Sequence, residues 1–191
     1  MRLRLGRCRI TVSFWFFSLL ALAAACGGKY MLAGIIAAAV HECGHIAAAA
    51  MCAGRDTPVY FDITPAGFRM GVIPAGLDGR RELLILSAGV TANLLAAAPL
   101  LLAGAGGHAA AQLCIAAVNA APVSPLDGGR VLRLLLSRKL DEDRAEKAVS
   151  AISLAALFPM ALAGFFVLLR SRGNVSLLVM TGWLLWKVVR S

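Results

Sequence analysis

The amino-acid sequence predicts an all-α polytopic membrane protein of about six transmembrane helices with one small membrane-associated β-hairpin. Of its 191 residues, 60% are hydrophobic and only 15% are charged, whereas about a quarter of a soluble domain is charged. Several apolar runs approach the roughly 20 residues that a spanning helix needs, and polar or glycine-rich breaks separate them. The length leaves room for a single membrane-embedded domain, residues 1–191.

The net charge of +9 would suggest nucleic-acid binding in a soluble protein, but here the basic residues flank the apolar runs. That distribution is typical of the positive-inside rule and of contact with anionic lipid. We therefore expect a lipid bilayer, and no nucleic acid, as partner. The five cysteines are odd in number and scattered, so they do not predict a disulfide framework.

The first predicted helix covers residues 10–26, after a short N-terminal stretch rich in arginine. A signal peptide is the competing interpretation, but no small-residue cleavage site is followed by a polar region. We therefore expect a membrane helix whose N-terminus lies in the cytosol. The second predicted helix covers residues 30–53 and follows a "GGK" break.

The segment after the second helix is rich in glycine, proline and charge, which argues against another span. Val59, Phe61 and Ile63 alternate with more polar neighbours, and "TPAG" is typical of a turn after which "FRMGVI" can pair back. The pattern favours a β-hairpin within residues 59–74. A cytosolic loop is an equally good interpretation.

Four further helices are predicted, over residues 83–103, 109–121, 149–169 and 175–189. The second of these four ends at "PVSPLDGGR", and inside a membrane such a break is tolerated only where protein covers it or where it lines a cavity. The "VLRLLLSRKLDEDRAEK" stretch that follows is typical of an amphipathic cytosolic segment. The distribution of lysine and arginine places the N-terminus, this segment and the C-terminal tail inside.

The most informative motif is "HECGH", residues 41–45, within the second predicted helix. Positions i and i+4 share a helix face, so His41 and His45 can bind one metal ion. Glu42 lies about 100° around the axis, where it can take a proton from a metal-bound water. A charge inside a membrane helix costs about 2.5–3.5 kcal/mol, which favours a functional role over a chance match.

A catalytic zinc usually has three protein ligands. His108, the third histidine of the chain, lies in "GAGGH" between two predicted helices, and we interpret it as a surface residue. Asp127 lies in "PLDGG", where the chain returns to the inner side at a depth compatible with the two histidines. From spacing alone, a metal ligand and a turn residue or helix N-cap are equally good interpretations of Asp127.

H-E-x-x-H in a membrane helix, followed by N-x-x-P-x-x-P-L-D-G-G near the end of a later helix, resembles the site-2 protease family of intramembrane zinc metalloproteases. The second motif is present in full, over residues 119–129. The resemblance covers about residues 30–136, the catalytic core of that fold, and residues 149–189 would then supply two additional C-terminal helices. This family implies a metalloendopeptidase with one zinc ion per chain.

The same resemblance implies a role for each matching residue. His41, His45 and Asp127 would bind the zinc. Glu42 would be the general base and acid, and Asn119 would lie near the scissile peptide and steady its carbonyl. The predicted hairpin would be the family's membrane-associated β element, whose edge receives a substrate that has become extended.

"SAGVTANLLA" in the third predicted helix resembles the family's A-G-P-x-x-N segment. Ala88, Gly89 and Asn93 match, and Val90 stands where proline is usual. The proline of the family implies a local helix break, and Val90 removes the residue that would cause it. For Asn93, a role in the cavity and a hydrogen bond between helices are equally good interpretations.

The predicted layout looks most like the family branch that includes the sporulation sigma-factor processing protease. It implies a multi-pass enzyme of the cell membrane, with its active site toward the cytosol, that cleaves a membrane-associated protein such as a sigma-factor precursor or an anti-sigma factor. A membrane regulatory partner would control access. Two alternatives are a membrane metal-ion transporter, whose buried histidines and aspartate line an ion path, and a non-catalytic scaffold derived from the protease.

Overall fold

The computed structural model describes residues 2–5, 8–12, 29–52, 59–64, 67–71, 78–171 and 175–190. The elements in chain order are β1 (Arg2–Leu5), β2 (Cys8–Val12), α1 (Lys29–Cys52), β3 (Val59–Thr64), β4 (Gly67–Gly71), α2 (Gly79–Leu102), α3 (Gly106–Ala120), α4 (Asp127–Leu136), α5 (Glu142–Ser171) and α6 (Ser176–Val189). The chain divides into two compact units, Met1–Ala116 (unit 1) and Ala117–Ser191 (unit 2).

Unit 1 contains a four-stranded sheet in the order β1-β2-β3-β4. β1 pairs antiparallel with β2, β2 parallel with β3, and β3 antiparallel with β4. Parallel neighbours need a crossover connection, and the chain between β2 and β3 includes α1. β3 and β4 lie within residues 59–74, where the alternating pattern favoured a hairpin. The association of that hairpin with a membrane stays a prediction.

The start of the chain differs from the prediction. Residues 10–12, expected to open the first transmembrane helix, belong to strand β2. Ile10, Thr11 and Val12 are all β-branched, and such residues favour a strand that has a partner on each side, as β2 has. The remainder of that predicted helix, residues 13–26, lies outside the described residues.

Within the described ranges, three helices are long and apolar enough to cross a membrane: α1, α2 and α5, over Met31–Cys52, Gly79–Leu102 and Glu142–Arg170. They match the second, third and fifth predicted helices and support a membrane protein. α3 has 15 residues and α6 has 14, fewer than the roughly 20 of a perpendicular span. The number of six spans therefore stays a prediction.

α1 packs against α2 through a narrow stripe of small and polar side chains. Its buried positions recur every fourth residue: Ala33, Ala37, His41, His45 and Ala49. Gly44 lets the two backbones approach, because a Cβ atom there would lie 2.7 Å from the carbonyl oxygen of Ala88 and 2.7 Å from Cβ of Ala92. The stripe therefore holds both histidines at a close helix contact.

The core of unit 2 lies around α5 and α6. Its buried apolar residues are Val123, Leu157, Leu184 and Val188. α4 also packs on α5, and Arg133 of α4 lies 3.4 Å from Glu142 and 3.7 Å from Glu146 at the start of α5. The segment that was predicted to be amphipathic, residues 131–147, thus covers most of α4, residues 137–141 and the first turns of α5.

Candidate metal centre

Two buried imidazoles form the centre of unit 1. His41 and His45 lie on α1 and are 3% and 7% exposed. Their Nε2 atoms are 3.2 Å apart, and their ring planes meet at 84°. Two nitrogen ligands of a tetrahedral zinc ion, each at about 2.0–2.1 Å, would lie about 3.3 Å apart. The spacing of the two Nε2 atoms therefore suits a single metal ion.

The other nitrogen of each ring is bound to α2. Nδ1 of His41 lies 2.8 Å from Oδ1 of Asn93, and Nδ1 of His45 lies 2.7 Å from the main-chain oxygen of Ile85. Both partners are oxygen acceptors, so each Nδ1–H donates and each Nε2 keeps its lone pair. Metal-binding histidines are typically oriented in this way, by a hydrogen bond from the ring nitrogen that does not face the metal.

Gly89 of α2 provides the space in which the two rings lie. A Cβ atom at this position would lie 2.7 Å from both Cε1 and Nε2 of His41, and closer still to Nε2 of His45. α2 continues as a helix through Val90, so no helix break is present there. The imidazoles therefore pack directly on the backbone of a regular helix.

Glu42 follows His41 on α1 and occupies the neighbouring face of the helix. Its side chain is partly buried, whereas those of the two histidines are buried. Glu42 thus lies beside the buried stripe of α1 and not within it. A group that exchanges protons with water needs such a position, since a fully enclosed carboxylate would be costly to ionise.

In unit 2, Asp127 is the first residue of α4 and is buried, at 9% exposure. The N-cap of α4 is Leu126, so the interpretation of Asp127 as an N-cap residue is wrong. Two glycines follow, and the first turn of α4 packs closely on the preceding chain. A Cβ atom at Gly129 would lie 2.6 Å from the main-chain nitrogen of Ser124, and one at Gly128 would meet the main-chain oxygen of Ala120.

A buried serine holds the segment that precedes Asp127. The Ser124 N–H donates to Oγ of Ser153 at 3.0 Å, and the Ser153 hydroxyl donates to the carbonyl oxygen of Pro122 at 3.3 Å. Asn119 lies in the last turn of α3 and is partly buried. The N-x-x-P-x-x-P-L-D-G-G motif is therefore the end of one helix, a braced turn and the start of the next helix.

The donor chemistry fits zinc. His41, His45 and Asp127 are buried and offer two imidazole nitrogens and one carboxylate, the ligand set of many catalytic zinc sites. His108 was predicted to lie in a loop. It lies instead in the first turn of α3, and its side chain is exposed, as expected for a surface residue.

Of the residues that support His41, the sequence singled out Asn93, whose expected hydrogen bond between helices is present, but not Gln112. Asn93 is fully buried, and its Nδ2 donates to the main-chain oxygen of Ala37 at 2.9 Å and to Oε1 of Gln112. Gln112 is itself 3% exposed. A single amide within the apolar run "AAAQLCIAA" was a signal for such a role.

These features define an α-helical membrane protein with a candidate metal centre. Its fold is similar to that of the Site-2 Protease from Methanocaldococcus jannaschii, with a TM-score of 0.65 and 21% sequence identity, over 100% of this chain and 94% of that chain. No protein-family model and no curated protein matches this chain. The fold that the two short motifs implied is thus the fold that the chain has, whereas the family branch stays a prediction.

Proposed function

We propose that this chain is an intramembrane zinc metalloendopeptidase that hydrolyses a peptide bond in or near a transmembrane segment of a membrane-associated protein. The observation that carries the proposal is the pair of buried imidazoles whose Nε2 atoms face each other at 3.2 Å while both Nδ1 atoms donate to oxygen. The similarity of the fold to a site-2 protease supports the class of reaction.

The proposed zinc ligands are His41, His45 and Asp127, with one ion per chain. The histidine pair supplies two neutral nitrogen donors whose lone pairs converge. Asp127 supplies the charge that a third ligand commonly brings, and its burial at the start of α4 supports this role. When bound, zinc supplies Lewis acidity, which polarises a peptide carbonyl and makes hydroxide available near neutral pH.

In this mechanism Glu42 moves the proton. Its carboxylate accepts a proton from the water that attacks the scissile carbonyl, and it then delivers that proton to the nitrogen of the departing amine. The side-chain amide of Asn119 donates a hydrogen bond to the carbonyl oxygen as negative charge develops there. The partial burial of both residues supports roles that need contact with substrate as well as with protein.

The finer points of the proposal rest on the resemblance in sequence. On that basis we propose that the chain lies in the cell membrane with its active site toward the cytosol. We also propose that its substrate is a sigma-factor precursor or an anti-sigma factor and that a membrane partner regulates access. Among the strands that the structure describes, β4 lies at one edge of the sheet. Such an edge offers backbone donors and acceptors to a substrate segment that has left its helix.

The proposal is tested by zinc content and proteolysis of the purified full-length chain in detergent, with a membrane-tethered sigma-factor precursor as substrate. Glu42→Gln should keep about one zinc per chain and lose cleavage, because an amide cannot accept the proton. His41→Ala and Asp127→Ala should lose both zinc and cleavage. The matched control is Glu142→Gln, the same change at an exposed residue paired with Arg133.

A wild-type protein that binds no divalent metal would overturn the proposal. Metal binding in wild type and Glu42→Gln alike, with no cleavage of any membrane-tethered substrate and with metal flux in vesicles, would favour the transporter instead. Zinc retained in Asp127→Ala would remove Asp127 from the ligand set and leave the histidine pair in place.

A further inference from the structure

Two buried amides lie behind the histidine pair, outside the proposed ligand set. Asn93 of α2 is fully buried, and Gln112 of α3 is 3% exposed. A buried amide in an apolar helix is costly unless its polar atoms are bonded. Their arrangement connects Gln112 to His41 through Asn93.

The two histidines differ in how the Nδ1 proton is fixed. His45 donates to the main-chain oxygen of Ile85, and a carbonyl oxygen can only accept. His41 meets the side-chain amide of Asn93, which can present either an oxygen or an NH₂ group to the ring. If the NH₂ group faced the ring, Nδ1 would have to accept, the proton would move to Nε2, and His41 could not bind a metal.

The surroundings of Asn93 select the orientation that binds metal. Its NH₂ group has two hydrogens, and both are directed at carbonyl oxygens: the main-chain oxygen of Ala37 and Oε1 of Gln112. With both donors used, the side that faces His41 is the oxygen, at 2.8 Å from Nδ1. Reversal of the Asn93 amide would set its oxygen against the main-chain oxygen of Ala37, which cannot reverse, and against Oε1 of Gln112 as that amide is oriented here. Such contacts are unfavourable in a buried site.

We propose that Gln112 is a positioning residue for the metal centre: it acts through Asn93 to hold His41 in the tautomer whose Nε2 lone pair binds metal. This inference rests on the proposed function, since it assigns to His41 the role of a ligand. It gives a role to the amide of α3 that accepts from an asparagine of α2. The second histidine needs no such selection, because its Nδ1 donates to a main-chain oxygen.

The simpler alternative is that Gln112 only ties α3 to α2. Both roles predict that removal of its amide lowers stability, so stability alone does not separate them. They differ in metal binding: a positioning residue changes zinc affinity through Asn93, and a tie between helices does not. A double-mutant cycle measures that dependence directly.

The experiment uses the full-length chain in detergent, with zinc affinity measured by chelator competition and the ligand field reported by the absorption spectrum of bound Co²⁺. Asn93→Leu should weaken zinc binding about 10- to 100-fold, as loss of a hydrogen bond behind a ligand typically does. Gln112→Leu should weaken it less, by about 3- to 10-fold, because the bond to the Ala37 oxygen still orients Asn93. Gln112→Leu should have no further effect in the Asn93→Leu background.

Gln112→Glu is the rescue variant, because a carboxyl oxygen still accepts from Asn93, and it should keep zinc affinity near that of wild type. Gln112→Met, which keeps the chain length, carries the same prediction as Gln112→Leu if the leucine variant does not fold. The control is Thr181→Val, which removes a buried hydroxyl that donates within α6 to the Leu177 oxygen. It should leave both zinc affinity and the Co²⁺ spectrum unchanged.

Wild-type zinc affinity in Gln112→Leu, or independent effects of the two changes that multiply in the double variant, would overturn the positioning role and leave the proposed protease intact. Failure of the wild-type protein to bind either Zn²⁺ or Co²⁺ would instead overturn the proposed function, and this inference with it.

Discussion

Helices α1 and α5 bury the same pattern of positions and do different things with it. Each buries every fourth residue; on α5 these are Ala145, Val149, Ser153 and Leu157, and on α1 the stripe carries His41 and His45. The Ser153 hydroxyl both accepts and donates, and both bonds go to main-chain atoms. Each histidine uses one ring nitrogen for support and turns the other toward its neighbour.

A buried stripe on a helix can serve packing alone or can also carry a reactive site, depending on where its polar side chains form their hydrogen bonds. A serine whose bonding capacity is spent on the backbone fixes the path of the chain. Two imidazoles held from behind leave two donor atoms converging on one point, and converging donors are what a metal ion requires. The burial pattern alone does not distinguish a stripe that holds the backbone from one that can bind a metal. Substitutions that change either stability or zinc affinity, but not both, should distinguish them.

The largest effect is expected at Gly89. Gly89→Ala places a Cβ atom 2.7 Å from His41 Nε2, and movement of the rings away from it would disturb their Nδ1 bonds to α2. We expect zinc affinity to fall by more than about 100-fold, since loss of outer hydrogen bonds alone costs 10- to 100-fold. Chelator competition on the purified chain measures this fall.

Gly34→Ala is the matched control, because Gly34 lies on α1 and a Cβ atom there meets nothing within 4 Å. It should bind zinc like the wild-type protein and be slightly more stable, as alanine favours a helix over glycine. Equal zinc affinity in Gly89→Ala and Gly34→Ala would contradict the packing of the rings on α2.

Gly44→Ala is expected to lower zinc affinity less than Gly89→Ala does and to act mainly on the free energy of unfolding. A Cβ atom there would lie 2.7 Å from the Ala88 carbonyl oxygen, which belongs to a helix backbone and cannot turn aside. Gly44→Ala should therefore lower the free energy of unfolding by about 1–3 kcal/mol, the usual cost of overpacking. Denaturant titration in detergent checks the value, and a stability equal to that of Gly34→Ala would contradict it.

On α5 the expected effect is on stability alone. Ser153→Ala leaves the Ser124 N–H and the Pro122 oxygen without this hydroxyl, and it should cost about 1 kcal/mol of unfolding free energy. Zinc affinity should stay close to that of wild type, because the close packing of Gly128 and Gly129 still holds the start of α4. A fall in zinc affinity as large as that of Gly89→Ala would remove the distinction between the two helices.

The sequence predicted the parts of the fold that follow from composition and spacing. The apolar runs located α1, α2 and α5 to within a few residues at most ends, and the i, i+4 spacing in "HECGH" located the imidazole pair. The two N-terminal strands were not predicted, and residues 10–12 of β2 were assigned to a helix instead, because an apolar, β-branched stretch fits a paired strand as well as the start of a helix.

The residues that support the two histidines were harder to predict from the sequence. The roles of Asn93, Gln112 and Gly89 depend on how α2 and α3 face α1, and periodicity within one helix carries no information about the rotation of its neighbours. The isolated amide of Gln112 was a signal that a partner existed, but its partner could only be identified from packing.

The smallest effect on stability is expected for the exposed ion pairs at the start of α5. Arg133 of α4 is paired with Glu142 and Glu146, but the three side chains are 48%, 82% and 48% exposed. Exposed pairs contribute little because water screens them and two long side chains must be ordered. Arg133→Ala should change the free energy of unfolding by less than about 0.5 kcal/mol, less so at high salt, and leave zinc affinity unchanged. A loss as large as that of Ser153→Ala would mean that the ion pairs at the N-terminus of α5 contribute as much to stability as the buried hydroxyl in its stripe.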